Sequence, residues 1–132
     1  MTILVTGAAG FIGSNFVLDW FEKYDEGIIS LDKLTYAGNP ENLQSLENNK
    51  NHNFVKGDIA DDNLITSILS QYQPRAIINF AAESHVDRSI HGPKEFINTN
   101  IVGTYSLLEA ARNYWHNLDQ KPQNFFRFLH VS

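Results

Sequence analysis

Short apolar runs recur along the chain at Ile3–Thr6, Ile28–Leu31, Asn53–Val55, Ala76–Phe80 and Phe125–Val131. Runs this short, apolar at consecutive or nearly consecutive positions, read as strands rather than buried helices. The stretches between them carry helical spacing: Phe11 to about Tyr24, Asp62 to about Gln71, and Pro93 to about Trp115, with a short helix expected over Pro40 to Glu47. Pro93 suits a first helical position, where its missing N–H costs nothing. Asp61 is placed to cap the helix that carries Leu64, Ile65, Ile68 and Leu69. Strands alternating with helices predict right-handed βαβ units, hence an α/β fold: a doubly wound parallel sheet with helices on both faces. The unbroken run Ala76-Ile77-Ile78-Asn79-Phe80 agrees, since a central parallel strand is buried on both sides.

The segment from Pro93 to Trp115 breaks the simple pattern with two apolar stripes. One is Ile97, Ile101, Leu108, Ala111 and Trp115; the other is Phe96, Gly103, Leu107, Ala110 and Tyr114. A surface helix needs only one apolar face. Two stripes imply packing on the sheet and on something else, a further helix or a partner subunit; a single broad core face fits the spacing as well.

Composition narrows the possibilities. A length of 132 residues bounds the chain to one domain. Ten Lys and Arg against fifteen Asp and Glu give a net charge of −5, and the basic residues are scattered from Lys23 to Arg127. That distribution lacks the footprint of a nucleic-acid binder. With no cysteine there is neither a disulfide framework nor a thiolate site. The first apolar run ends at Thr6-Gly7, too early for a signal peptide or membrane span, so a soluble cytoplasmic protein is expected. His52, His91, His116 and His130 show no ligand spacing, and no metal site is expected.

Candidate chemistry starts at Gly7-Ala8-Ala9-Gly10-Phe11-Ile12-Gly13, between the first strand and the first helix. Gly7 and Gly10 let the backbone turn tightly and let a pyrophosphate approach the main chain, while Gly13 lets the helix sit close to the sheet. The helix N-terminus adds free N–H groups and a positive dipole end. The second strand ends in Asp32, nineteen residues after Gly13, the spacing at which an acid accepts from an adenosine ribose. A carboxylate there favours NAD over NADP, although the neighbouring Lys33 tempers the preference. Asp58, after the third strand, is placed to accept from an adenine amino group with Ile59 against the ring; a turn Asp capping local backbone is the alternative. The fourth strand runs into Ala81-Ala82-Glu83-Ser84-His85-Val86-Asp87-Arg88-Ser89, a dense polar cluster at the sheet end where α/β proteins bind ligands.

The segments Thr6–Gly13, Leu31–Asn39 and Ala81–Ser89, with Asn100-Ile101-Val102-Gly103-Thr104, resemble the N-terminal part of the extended short-chain dehydrogenase/reductase family. Within it they are most similar to the nucleotide-sugar dehydratases, and less so to the sister epimerases and decarboxylases. The resemblance covers the whole chain. It implies that Phe11 and Ile12 present backbone N–H groups to the pyrophosphate of NAD, and that Asp32, Lys33, Leu34 and Thr35 wall the adenosine ribose. Asp58 and Ile59 would hold the adenine. Phe80, Ala81, Ala82, Glu83 and Ser84 would run beside the nicotinamide half, joined by Thr99, with Ser84 and His85 reaching a nucleotide-sugar substrate. The 93–115 helix would form a homodimer interface.

The family reaction is an internal redox cycle in which hydride leaves sugar C4, water is lost across C5 and C6, and the hydride returns to C6. Its base is the Tyr of a Tyr-x-x-x-Lys helix, and its elimination pair lies in a Thr-Asp-Glu run. Tyr24, Tyr36, Tyr72, Tyr105 and Tyr114 have no lysine four residues on, and no Thr-Asp-Glu run is present. The resemblance therefore implies no catalytic residue within these 132 residues, which would form most of one cofactor-binding domain ending at its fifth strand. The uncovered helix face and sheet edge would favour association. A standalone, non-catalytic NAD-binding module is the alternative from a different functional class.

Overall fold

Buried aliphatic runs pair side by side in the computed structural model, which describes residues 1–34, 38–81 and 93–131. Strands β1 (Thr2–Thr6), β2 (Gly27–Asp32), β3 (His52–Lys56), β4 (Ala76–Asn79) and β5 (Arg127–His130) form one sheet in the order β3-β2-β1-β4-β5. Every pairing is parallel, with Leu4 opposite Ile29 on one side and Ile77 on the other. The strand order reverses at β1, and the crevice at the carboxyl ends of β1 and β4 is the ligand position of such sheets.

Helices α1 (Phe11–Lys23), α2 (Asp62–Tyr72), α3 (Pro93–Ile97), α4 (Thr104–His116) and α5 (Gln120–Phe125) accompany the sheet, with a 3-10 helix over Pro40–Leu46. Alternate strand residues feed two cores. Ile3, Val5 and Ile28 pack with Val17 of α1 and with Leu43 and Leu46 of the 3-10 helix. Leu4, Ile29 and Ile77 pack with Ile65, Ile68 and Leu69 of α2 and with Leu107 and Ala111 of α4. Three layers result, as the alternation predicts. The expected cap forms: Asp61 Oδ1 accepts from the Leu64 N–H at 3.1 Å. Across the amino ends of the strands, Arg75 makes two 2.6 Å hydrogen bonds to the Glu26 carboxylate.

Two expectations need correction. The 93–115 segment is helical but not one α-helix, because π-helical turns over Asn98–Gly103 separate α3 from α4. Within α4, Ala111 lies one turn after Leu107 and is buried beside it, although the spacing also groups it with the stripe of Leu108 and Trp115. The remaining members of that stripe, Ile97, Ile101, Leu108 and Trp115, are exposed together with Val102 and Tyr105. The last strand begins at Arg127 rather than Phe125, since α5 takes up the preceding residues. Reciprocal 3.0 Å bonds between the Trp115 and Gln123 side chains and each other's carbonyls hold α5 against the end of α4. Among the described residues, no helix is long and apolar enough to cross a membrane.

Candidate cofactor site

The loop after β1 turns on Gly7, whose φ is +68°. A Cβ there would lie 2.6 Å from Ala81 N and 2.7 Å from Phe80 O, so glycine is required twice over, by conformation and by close approach. The Gly7 N–H donates to Leu31 O at 2.8 Å, which fixes the loop to the end of β2. Gly13 sits where a Cβ would collide with the Gly7 carbonyl, so α1 starts hard against the loop. Gly10 is the N-cap of α1 in extended conformation, and neither a side-chain cap nor an acidic residue occupies the first turn. The N–H groups of Phe11, Ile12 and Gly13 therefore lack intrahelical acceptors and form a ready anion cradle. The Phe11 and Ile12 side chains are exposed beside it.

Asp32 ends β2 with its side chain all but buried. Its Oδ2 accepts from the Ala9 N–H at 2.8 Å and its Oδ1 from the Leu34 N–H at 2.7 Å. Each carboxylate oxygen keeps a second acceptor position, which suits the two hydroxyls of a ribose. A Cβ on Gly38 would approach Asp32 Oδ1 to 2.6 Å, so the returning chain closes over the carboxylate only as glycine. The Ala9 carbonyl is held as well, by the Asn39 N–H at 3.0 Å and Asn42 Nδ2 at 2.9 Å. Both polar groups of one loop residue are thus tied to the wall that follows β2.

The far end of that wall is formed by Lys33 and Asp58, paired at 3.3 Å. Asp58 Oδ1 also accepts from the Ala60 N–H at 2.9 Å, the local turn that the sequence left as an alternative. Ile59 is 4% exposed and packs in the core with Leu31 and Ile65. Its side chain serves the core, which leaves Asp58 as the side chain presented at the surface.

At the switch point the Asn79 side chain is fully buried and joins three strand ends. Its Oδ1 accepts from the Thr6 hydroxyl and from the Ala81 N–H at 3.1 Å, and its Nδ2 lies 3.0 Å from His130 Nδ1 on β5. Phe80, half-buried, stacks at a tilt on Phe16 of α1 with ring centroids 5.5 Å apart. The loop, Asp32, Phe80 and Ala81 therefore converge on the carboxyl ends of β1, β2 and β4. Thr35, Ala82, Glu83, Ser84 and His85 lie outside the described residues, and Thr99 falls within the π-helical turns. Among the described residues no cluster of His, Cys, Asp or Glu is fit to hold a metal ion.

Sequence reading missed Asn79, Asn42 and the tie from Asn39. Asn79 carried a legible signal, as the one polar residue inside an apolar buried run. Asn42 carried none, because its partner lies 33 residues away.

The family model described as GDP-mannose 4,6 dehydratase matches residues 4–132. A dTDP-glucose 4,6-dehydratase from Xanthomonas campestris pv. campestris (strain B100) is 60% identical over 133 residues, covering 99% of this chain and 37% of its own length. The dTDP-glucose 4,6-dehydratase of Bacillus anthracis str. Ames, solved in complex with NAD, superposes with a TM-score of 0.83 at 38% identity and covers 100% of this chain and 37% of that one. The Streptomyces venezuelae enzyme of the same name, solved with NAD bound, gives 0.79 at 45% identity over 86% of this chain and 36% of its own. The chain thus spans about 37% of the length of the curated relatives it matches.

Proposed function

Because the chain belongs to the GDP-mannose 4,6 dehydratase family, we propose that it is the NAD-holding N-terminal portion of a dTDP-glucose 4,6-dehydratase. The observation that carries this reading is the clamp between Asp32 and Ala9, which sets an acid with two free acceptor positions against an uncapped, glycine-lined helix start. Residues 1–132 then form an incomplete NAD-binding domain of Rossmann type, acting in the cytoplasm.

In this reading the Phe11, Ile12 and Gly13 N–H groups hold the pyrophosphate, with Gly7 and Gly10 giving it room. Asp32 accepts from the adenosine ribose, flanked by Lys33, Leu34 and Thr35, while Asp58 and the backbone at Ile59 edge the adenine. Phe80, Ala81, Ala82, Glu83, Ser84 and Thr99 border the nicotinamide, and Ser84 and His85 meet the nucleotide sugar. When bound, NAD supplies a reversible acceptor for the hydride of the sugar's C4 position. The exposed apolar residues Ile97, Ile101, Val102, Tyr105 and Leu108, spread over successive turns from α3 to α4, suit a homodimer interface.

The test is a chimaera joining residues 1–132 to the remaining sequence of the Xanthomonas relative. The chimaera is expected to convert dTDP-glucose to the 4-keto-6-deoxy product, whereas the 132 residues alone produce none. A folded, NAD-loaded chimaera that leaves dTDP-glucose unchanged would overturn the reading.

A further inference from the structure

A cation one residue after the ribose-binding acid ought to welcome a phosphorylated ribose, yet here that cation is already engaged. Lys33 Nζ lies 3.3 Å from Asp58 Oδ2 across the ends of β2 and β3. Asp58 is fixed from behind, since its Oδ1 accepts from the Ala60 N–H at 2.9 Å and its carbonyl from the Asp61 N–H at 3.0 Å. The Gly57 N–H donates to the Asp32 carbonyl at 3.0 Å, so the backbone that carries Asp58 is tied to the end of β2 next to Lys33.

We propose that Asp58 is a specificity-determining residue that withholds Lys33 from a 2′-phosphate and so reinforces the preference for NAD over NADP. The inference rests on the NAD reading above and deepens it. A 2′-phosphate on this wall meets two carboxylates, Asp32 and Asp58, and a lysine whose charge the second has compensated. A 2′-phosphate that drew Lys33 away from Asp58 would have to give up the 3.3 Å ion pair. Both partners are about half exposed, so screening keeps the effect to about fivefold, smaller than that of Asp32.

The substitution Asp58→Asn tests this, because an amide oxygen can still accept from the Ala60 N–H and keep the turn. Dissociation constants for NAD and NADP are measured calorimetrically on the unsubstituted protein, Asp58→Asn, and the double variant with Lys33→Met. Any general loss of adenine binding weakens both dinucleotides and cancels in their ratio. Asp58→Asn is expected to shift the ratio toward NADP by about fivefold, and Lys33→Met in that background to reverse the shift. Lys33→Met alone, with Asp58 intact, is expected to change the ratio by less than about twofold. An unchanged ratio in folded Asp58→Asn, with NAD bound normally by the unsubstituted protein, overturns the role of Asp58 alone. Binding of neither dinucleotide by the unsubstituted protein overturns the NAD reading and this inference with it.

Discussion

The backbone N–H of Ala9 donates to Asp32 Oδ2 at 2.8 Å, joining the phosphate-type loop to the acid at the end of the next strand. One carboxylate thus shapes the loop and keeps acceptor capacity for a sugar. Substituting Asp32→Asn leaves a single acceptor oxygen for two N–H groups. We expect NAD affinity to fall by about tenfold or more, and stability to fall by about 1 kcal/mol. Calorimetric titration and urea denaturation measure the two separately.

Gly7 is the position least tolerant of a side chain. Alanine there would hold a positive φ at a cost of about 1–2 kcal/mol. Its Cβ would also press on the Phe80–Ala81 backbone at 2.6 Å, where no flexible side chain can give way. Gly7→Ala is expected to lose more than about 2 kcal/mol, read as a lower urea midpoint, and to displace the exit of β4.

Asn79 fills both acceptor positions of its Oδ1 within the sheet interior. Replacing it by leucine strands the buried Thr6 hydroxyl and the Ala81 N–H, a loss of about 3 kcal/mol. Adding Thr6→Val removes one orphaned group and should recover about 1 kcal/mol. Chemical denaturation of the single and double variants checks both statements.

His52 gives the fold a pH dependence. Burial lowers its pKa below the ordinary 6.5, and its Nε2 lies 2.7 Å from the buried Ser30 hydroxyl. The unfolded chain therefore takes up this proton at a higher pH than the folded one. The contribution is fully present above about pH 6.5, shrinks as pH falls below that value, and levels off below the folded pKa. In His52→Gln this decline should disappear, so the stability difference between pH 7.5 and pH 5.5 becomes smaller than in the unsubstituted protein.

Much of this was legible in the residues. Central parallel strands must be apolar on both faces, so Ile28–Leu31 and Ala76–Phe80 announced themselves, and Asp61 marked a helix start by its capping chemistry. Asp32 was located by its distance from the glycines. Features set by long-range geometry were not legible. Whether Ile59 faces a base or the core depends on where α2 packs, and an apolar residue fits both. The π-helical turns over Asn98–Gly103 and the Trp115–Gln123 bonds that stabilise α5 arise from packing rather than periodicity. The Lys33–Asp58 pair joins residues 25 apart that become neighbours only once β2 and β3 align.

The central claim is that the uncapped start of α1 and Asp32 hold NAD. Its most direct test is an NAD titration followed by backbone amide NMR. Saturable shifts are expected to be largest at Ala9, Gly10, Phe11, Ile12 and Gly13, with Leu34 following at the same concentrations. Saturable NAD binding that leaves these amides unmoved, or no binding by the folded protein, would contradict the account.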